Sequence, residues 1–327
     1  MSKQVAASIS IDLDNQWSYM KTHGDDGWEQ WPSYINRVVP RFLDFFETKK
    51  TSITVFIVGQ DADKPEHHDV LRNIAAADHE IGNHSFHHEP WLHLYSSSQL
   101  HEEFERSESA IFEATGQRPR GFRGPGFSFS DEVLNILAAR NYVYDASTFP
   151  TYLGPLARAY YFFTSQLDRN EKEDRKQLFG KFSEGLRPIK PFNWQIGKQT
   201  LTEIPVTTMP IFKTPVHASY LFYLATFSQS LARIYLKMTF QLCRLTGTGP
   251  SFLLHPLDFM DQHDVPELAY FPGMKLDASK KLELLSECLE RMQRDWTLGT
   301  MMQHAELAKA GGLKTRSVTT TTGSATT

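Results

Sequence analysis

The 327-residue chain is poor in cysteine, in excess positive charge and in long apolar runs, and each shortage narrows what it can be. Its two cysteines, Cys243 and Cys288, stand far apart. They cannot supply the thiolate cluster of a structural zinc site, and so few thiols suit a reducing compartment better than a disulfide scaffold. The formal net charge is -4, and no Lys/Arg stripe provides the field that nucleic acid requires. Nucleic acid is not an expected partner. No apolar run reaches the roughly 20 residues of a membrane-spanning helix. Only Met1-Ser2-Lys3-Gln4 precede the first strand-like segment, too few for the charged and apolar regions of a signal peptide. The expected location is therefore cytoplasmic. Neither a dividing linker nor an internal repeat is visible. The expectation is one domain over residues 1–310 with an insertion at about 151–200, then a Thr/Ser/Gly-rich tail, 311–327, expected to be disordered.

What the chain does have is a regular alternation of two patterns. Strand-like runs at Val5 to Ile11, Ile53 to Val58, Glu80 to Asn83, Gly121 to Arg123, Tyr142 to Asp145, Glu203 to Thr207 and Ser251 to Leu254 alternate with helical stretches. The clearest helices are Pro32 to Thr48, Ser97 to Thr115, Asp131 to Arg140 and Ser279 to Arg294. Alternation of this kind argues for a parallel sheet with outer helices.

Three remote segments place chemistry where strands should stop. They are Ile11-Asp12-Leu13-Asp14, His84-Ser85-Phe86-His87-His88 and Leu254-His255-Pro256. In extended chain Asp12 and Asp14 share a face. His84 and His88 stand four apart, a spacing that a helical turn would bring to one side. One carboxylate with two imidazoles makes a three-ligand set that leaves positions for water and substrate, as hydrolytic zinc requires. Each piece also has a plainer reading. His79, His84, His87, His88, His93 and His101 crowd one region, so a pair four apart arises easily by chance, and strand-end aspartates commonly cap helices or accept loop amides.

Order and context decide between these readings. Asp-x-Asp, His-Ser-x-x-His, then Arg123-Gly124-Pro125-Gly126, then Leu254-His255-Pro256 together resemble the polysaccharide deacetylases, carbohydrate esterases with a NodB homology domain. The motifs run from about Ile9 to Phe259, and more loosely to about Leu307. The resemblance implies a distorted (β/α) barrel of about seven parallel strands, with the site at their C-terminal ends, and an aromatic-rich helical insertion. It implies Asp12 as catalytic base, Asp14, His84 and His88 as metal ligands, Arg123 as the residue that orients the base, and His255 as general acid. His87 is then a bystander. The family pattern has adjacent aspartates where this chain has Asp12 and Asp14, and it continues with an Asp-x-x-Asp-Trp segment where this chain has only Tyr144-Asp145-Ala146-Ser147. Asp145 lines the pocket or serves as a turn carboxylate; Asp258 orients His255 or caps the next helix. The glycine-rich turn after Arg123 offers backbone amides to an oxyanion.

The activity implied is hydrolysis by a divalent metal ion, zinc or alternatively cobalt, nickel, iron or manganese, of the N-acyl group of an amino sugar in a glycan or glycolipid. Acetyl is the first expectation. A deformylase of a lipid-linked amino sugar and an allantoinase-like amidase are the enzymatic alternatives, and a non-catalytic carbohydrate-binding protein is the alternative of another class. Two apolar, aromatic stretches, Leu156 to Phe163 and Tyr220 to Phe227, read as core helices, as a lid, or as a peripheral contact at the inner membrane face. In the last case Arg158, Arg233, Lys237 and Arg244 would face lipid headgroups. The oligomeric state is not legible.

Overall fold

A computed structural model describes residues 5–154 and 182–318. The first strand, β1 (Ala6–Leu13), is buried along its whole length. Strand periodicity divides it: Ala7, Ile9, Ile11 and Leu13 join the main hydrophobic cluster, while Ser8, Ser10 and Asp12 take the opposite face. Ser8 bonds His304, and Ser10 and Asp12 bond Arg123. The inner face of β1 is thus polar and hydrogen-bonded.

Helix α1 (Gln16–His23) follows at once, with Asn15 as its cap. Next come α2 (Ile35–Thr48), β2 (Thr54–Ile57), the single turn α3 (Gly59–Ala62), α4 (His68–Ala76) and β3 (Glu80–Asn83). The long α5 (Ser97–Thr115) opens on a capping box formed by Ser96 and Gln99. Then β4 (Gly121–Phe122), α6 (Asp131–Ala139) and β5 (Tyr144–Asp145) complete the first half. In the second half β6 (Phe192–Ile196) and β7 (Gln199–Glu203) form an antiparallel hairpin, turning at Gly197 with φ 55°. After it lie α7 (Ala218–Phe227), α8 (Gln229–Thr246), β8 (Ser251–Leu254), α9 (Ala278–Asp295), β9 (Thr297–Gly299), α10 (Met301–Gly311) and β10 (Thr315–Ser317).

The sheet runs β10-β6-β7-β5-β4-β3-β2-β1-β8, with β9 paired to the start of β1. Seven strands, from β8 through β1 to β5 and β7, are mutually parallel. The architecture is the expected distorted (β/α) barrel, and its ring is not closed by a strand ladder. Beyond the end of β7, Thr207 bridges the seam: its N–H and hydroxyl both donate to the Ser251 carbonyl, and its Oγ1 accepts from the Ser251 N–H.

Two features differ from the sequence expectation. The strand expected at Glu203 to Thr207 instead ends at Glu203, because Gln199–Glu203 pairs with β6 as a hairpin. Within the stretch expected to be disordered, Thr315–Ser317 lies parallel to β6 as an added edge strand, and backbone pairing at an open edge needs no hydrophobic pattern. The stretch Leu156 to Phe163 lies outside the described residues. The other aromatic stretch, Tyr220 to Phe227, lies within α7, which ends at Ser228, a residue of extended backbone whose hydroxyl caps α8.

Candidate metal centre

Register puts the site residues at one level. Ile11 pairs with Leu254, Leu13 with Ile57, Ile57 with Asn83 and Asn83 with Phe122. The residues just past those partners, His255, His84 and Arg123, therefore emerge around the end of β1, beside Asp12 and Asp14. This is the C-terminal rim of the barrel.

Asp12 accepts from Arg123 Nη1 at 2.6 Å. Arg123 has no exposure; it also donates to Ser10 Oγ and to the Ala146 carbonyl, and its guanidinium lies 4.4 Å from the Phe56 ring centre. Past Leu13 the chain turns tightly, the Asp14 N–H donating back to the Asp12 carbonyl. It is this turn, not strand alternation alone, that brings the second carboxylate over the first. His84 Nε2 lies 3.9 Å from Asp12 Oδ2 and 3.5 Å from Asp14 Oδ1, and His88 Nε2 lies 2.9 Å from the same Asp14 oxygen.

Asp14, His84 and His88 each present a ligand atom within 4.8 Å of the others. Asp14 Oδ1 is buried without a hydrogen-bond partner, so its close approach to His88 lacks hydrogen-bond geometry. His84 Nδ1 donates to the Arg123 carbonyl at 2.6 Å. That bond fixes the proton on Nδ1 and turns the Nε2 lone pair toward Asp14. An orphaned carboxylate oxygen and two converging imidazole nitrogens fit a divalent cation. Burial works against the charge on Asp14, but His88 and His84 outweigh it and hold the carboxyl well below its ordinary range. His84 is likewise pushed down by burial and lifted above its ordinary value by Asp12 and Asp14.

The histidine pair is not helical, contrary to the expectation from its spacing. Ser85 and His88 both have left-handed backbone, φ 61° and 54°, and the loop is held by side chains rather than by helical bonds. Asn83 Oδ1 accepts from the Ser85 N–H and Ser85 Oγ from the His88 N–H. Glu103 of α5, itself buried, accepts from the Phe86 and His87 amides with one oxygen and bonds the His87 ring with the other. His87 is thus engaged in holding the loop. Trp17 meets His88 edge-on at 6.3 Å and donates its indole N–H to the buried Asp61.

His255 ends β8, its ring Nδ1 3.4 Å from Ser219 Oγ. Asp258 accepts from the His255 backbone N–H at 2.7 Å, so it caps the short turn Pro256–Phe259. Residues 24–144 match the polysaccharide deacetylase family. That stretch is similar to the polysaccharide deacetylases. It is 25% identical over 154 residues to a peptidoglycan deacetylase of Helicobacter pylori, covering 45% of this chain and 50% of that one. It is 30% identical over 103 residues to the peptidoglycan-N-acetylmuramic acid deacetylase PdaA of Bacillus subtilis, covering 31% of this chain and 38% of that one. The alignments therefore span half or less of those relatives' length. A Mycobacterium smegmatis crystal structure carrying a provisional polysaccharide deacetylase name superposes with a TM-score of 0.60 at 20% identity, over 97% of this chain and 94% of that one. That likeness concerns the fold.

Three backbone amides in and after the Arg123 turn are engaged within the fold. The Gly124, Phe127 and Ser128 amides already donate to Ser147 Oγ, the Gly124 carbonyl and the Pro125 carbonyl. Asp145 is fully buried and faces Glu203, its register partner on β7. Burial raises both carboxyls, and the neighbouring Asp145 pushes Glu203 further, well above its ordinary range. Sequence reading missed Glu103, Glu203 and His217. His217 is buried, its Nδ1 has no hydrogen-bond partner, and its ring lies 5.9 Å from that of His255. Burial, then His255 and Arg123, hold His217 well below its ordinary value. A lone histidine among apolar residues carries no signal in one sequence; only the fold places it here.

Proposed function

We propose that the chain is a metal-dependent hydrolase that removes an N-acyl group, acetyl first, from an amino sugar of a glycan or glycolipid. The observation that carries this reading is the convergence of Asp14, His84 and His88 on one point beside an Asp12 held by a buried arginine. A divalent cation bound there supplies a Lewis acid, lowering the pKa of coordinated water to about 7 and polarising the acyl oxygen. Asp14 Oδ1 and the two Nε2 atoms would hold it. Asp12, paired with and oriented by Arg123, accepts the proton of the attacking water. His255 gives a proton to the departing nitrogen, without which the amine is a poor leaving group. Ser219 at Nδ1 sets the imidazole's orientation. The names of the curated relatives support an acetylated glycan as substrate.

The test is release of acetate or formate from soluble and lipid-linked N-acyl amino sugars by the protein loaded in turn with zinc, cobalt and manganese. Asp14→Ala should lose the bound metal by elemental analysis. Asp12→Asn should keep it and lose about 10²–10⁴-fold in turnover. An Asp12→Asn protein with undiminished turnover would refute the assigned base.

A further inference from the structure

The α7–α8 pair is anchored to the barrel through Leu221, Phe222, Leu236 and Phe240. Its opposite side is bare. Phe227, Leu231, Ile234, Met238 and Leu245 are between 47% and 83% exposed, far more than single surface apolars require explanation for. At the helical repeat, Leu231, Ile234, Met238 and Leu245 fall on one stripe of α8. Lys237 and Arg244, with Arg233, border that stripe on one side.

The charge around the stripe is one-sided. Residues 204–257 contain no Asp or Glu, although the chain holds 38 acidic residues and is net negative. Within that span stand Lys213, Arg233, Lys237 and Arg244. From α9, Glu287 pairs with Arg233 at 2.8 Å and Asp295 lies 3.8 Å from Arg244, but Asp295 is already held by Arg294 at 2.9 Å. Lys237 is exposed. Among the described residues no helix is long and apolar enough to cross a membrane.

We propose that this face lies on an anionic lipid bilayer, its apolar stripe in the interfacial layer and Lys237 and Arg244 reaching toward headgroup phosphates. A protruding apolar ridge with a basic border is the pattern of helices that lie in the interface plane, and long basic side chains extend from such a border to the headgroups. The start of α7 adjoins the candidate site. Helix α7 follows directly from His217, beside His255, and its 10 residues span about 15 Å. The claim does not depend on the reaction assigned to that site.

Co-sedimentation of the full chain with vesicles tests it. Binding is expected to phosphatidylcholine vesicles containing phosphatidylglycerol, weaker binding to phosphatidylcholine alone, and loss with rising salt. The exposed-face variant Leu231→Ser/Ile234→Ser/Met238→Ser should retain its circular dichroism and melting temperature and fail to sediment. Lys237→Gln should weaken binding about fivefold, the equivalent of about 1 kcal/mol per basic residue at an anionic surface. Equal binding by the triple variant would overturn the proposal. So would a dimer, seen by sedimentation equilibrium and dissolved by the same substitutions, in a protein that ignores vesicles.

Discussion

Arg123 is a guanidinium with no solvent around it, and its energetics follow from that. Its Nη1 bonds Asp12 at 2.6 Å and also Ser10 Oγ, its Nε donates to the Ala146 carbonyl, and its Nη2 lies 3.4 Å from Met301 Sδ. Removing one member of a buried pair leaves the other charge unpaid in a low dielectric. Arg123→Met should therefore destabilise the fold by about 3–5 kcal/mol, read as a lower denaturation midpoint. The double variant Asp12→Asn/Arg123→Met should recover part of that loss, because the orphaned carboxylate is gone. Additive losses in the double variant would show that the pair is not coupled. The sequence made Arg123 and Asp12 visible as motif residues; their contact needed two strands brought together in space.

At the scale of elements, the ligand loop depends on a helix that carries no ligand. Glu103, on the buried face of α5, accepts the Phe86 and His87 amides, and the two left-handed residues in the loop leave no regular ladder to replace it. Burial raises Glu103, but its bonds to His87 prevail and hold it below its ordinary value. Glu103→Ala should weaken metal binding about 10–100-fold, as loss of an outer-shell partner does, measured by calorimetric titration with zinc. Unchanged affinity would mean the loop holds itself. The β5–β7 pair makes an opposite, pH-linked prediction. Asp145 and Glu203 are both raised, chiefly by burial, so the folded state binds protons that the unfolded chain gives up near pH 4. Their contribution is full below that pH and is lost as pH rises through the raised folded values. Glu203→Gln should flatten the fall of melting temperature with rising pH; an unaltered profile would exclude the pair as its source.

The whole molecule is a barrel with a seam. Seven parallel strands carry the site residues to one rim, yet β7 and β8 share no ladder, and Thr207 spans the gap with its backbone and hydroxyl. Thr207→Val keeps the shape and leaves the buried Ser251 N–H without its acceptor, a loss of about 1–3 kcal/mol. In urea the midpoint should fall with an unchanged slope. A changed slope would indicate that the seam opens in the native state.

Local pattern alone determined much of this protein. Strand and helix segments followed from periodicity, since burial on one face is written into residue order, and α5 and β8 have the bounds that their caps and apolar runs imply. The residues of the candidate centre were also legible, because strand ends that carry Asp, His and Arg at set spacings are local features. The tertiary structure alone decided the rest. It set the non-helical path of the histidine loop, the clamp by Glu103, the carboxyl pair on β5 and β7, the added strand at Thr315–Ser317 and the placement of His217. Each depends on contacts between residues remote in the chain, made by backbone conformations and burial that no local pattern encodes.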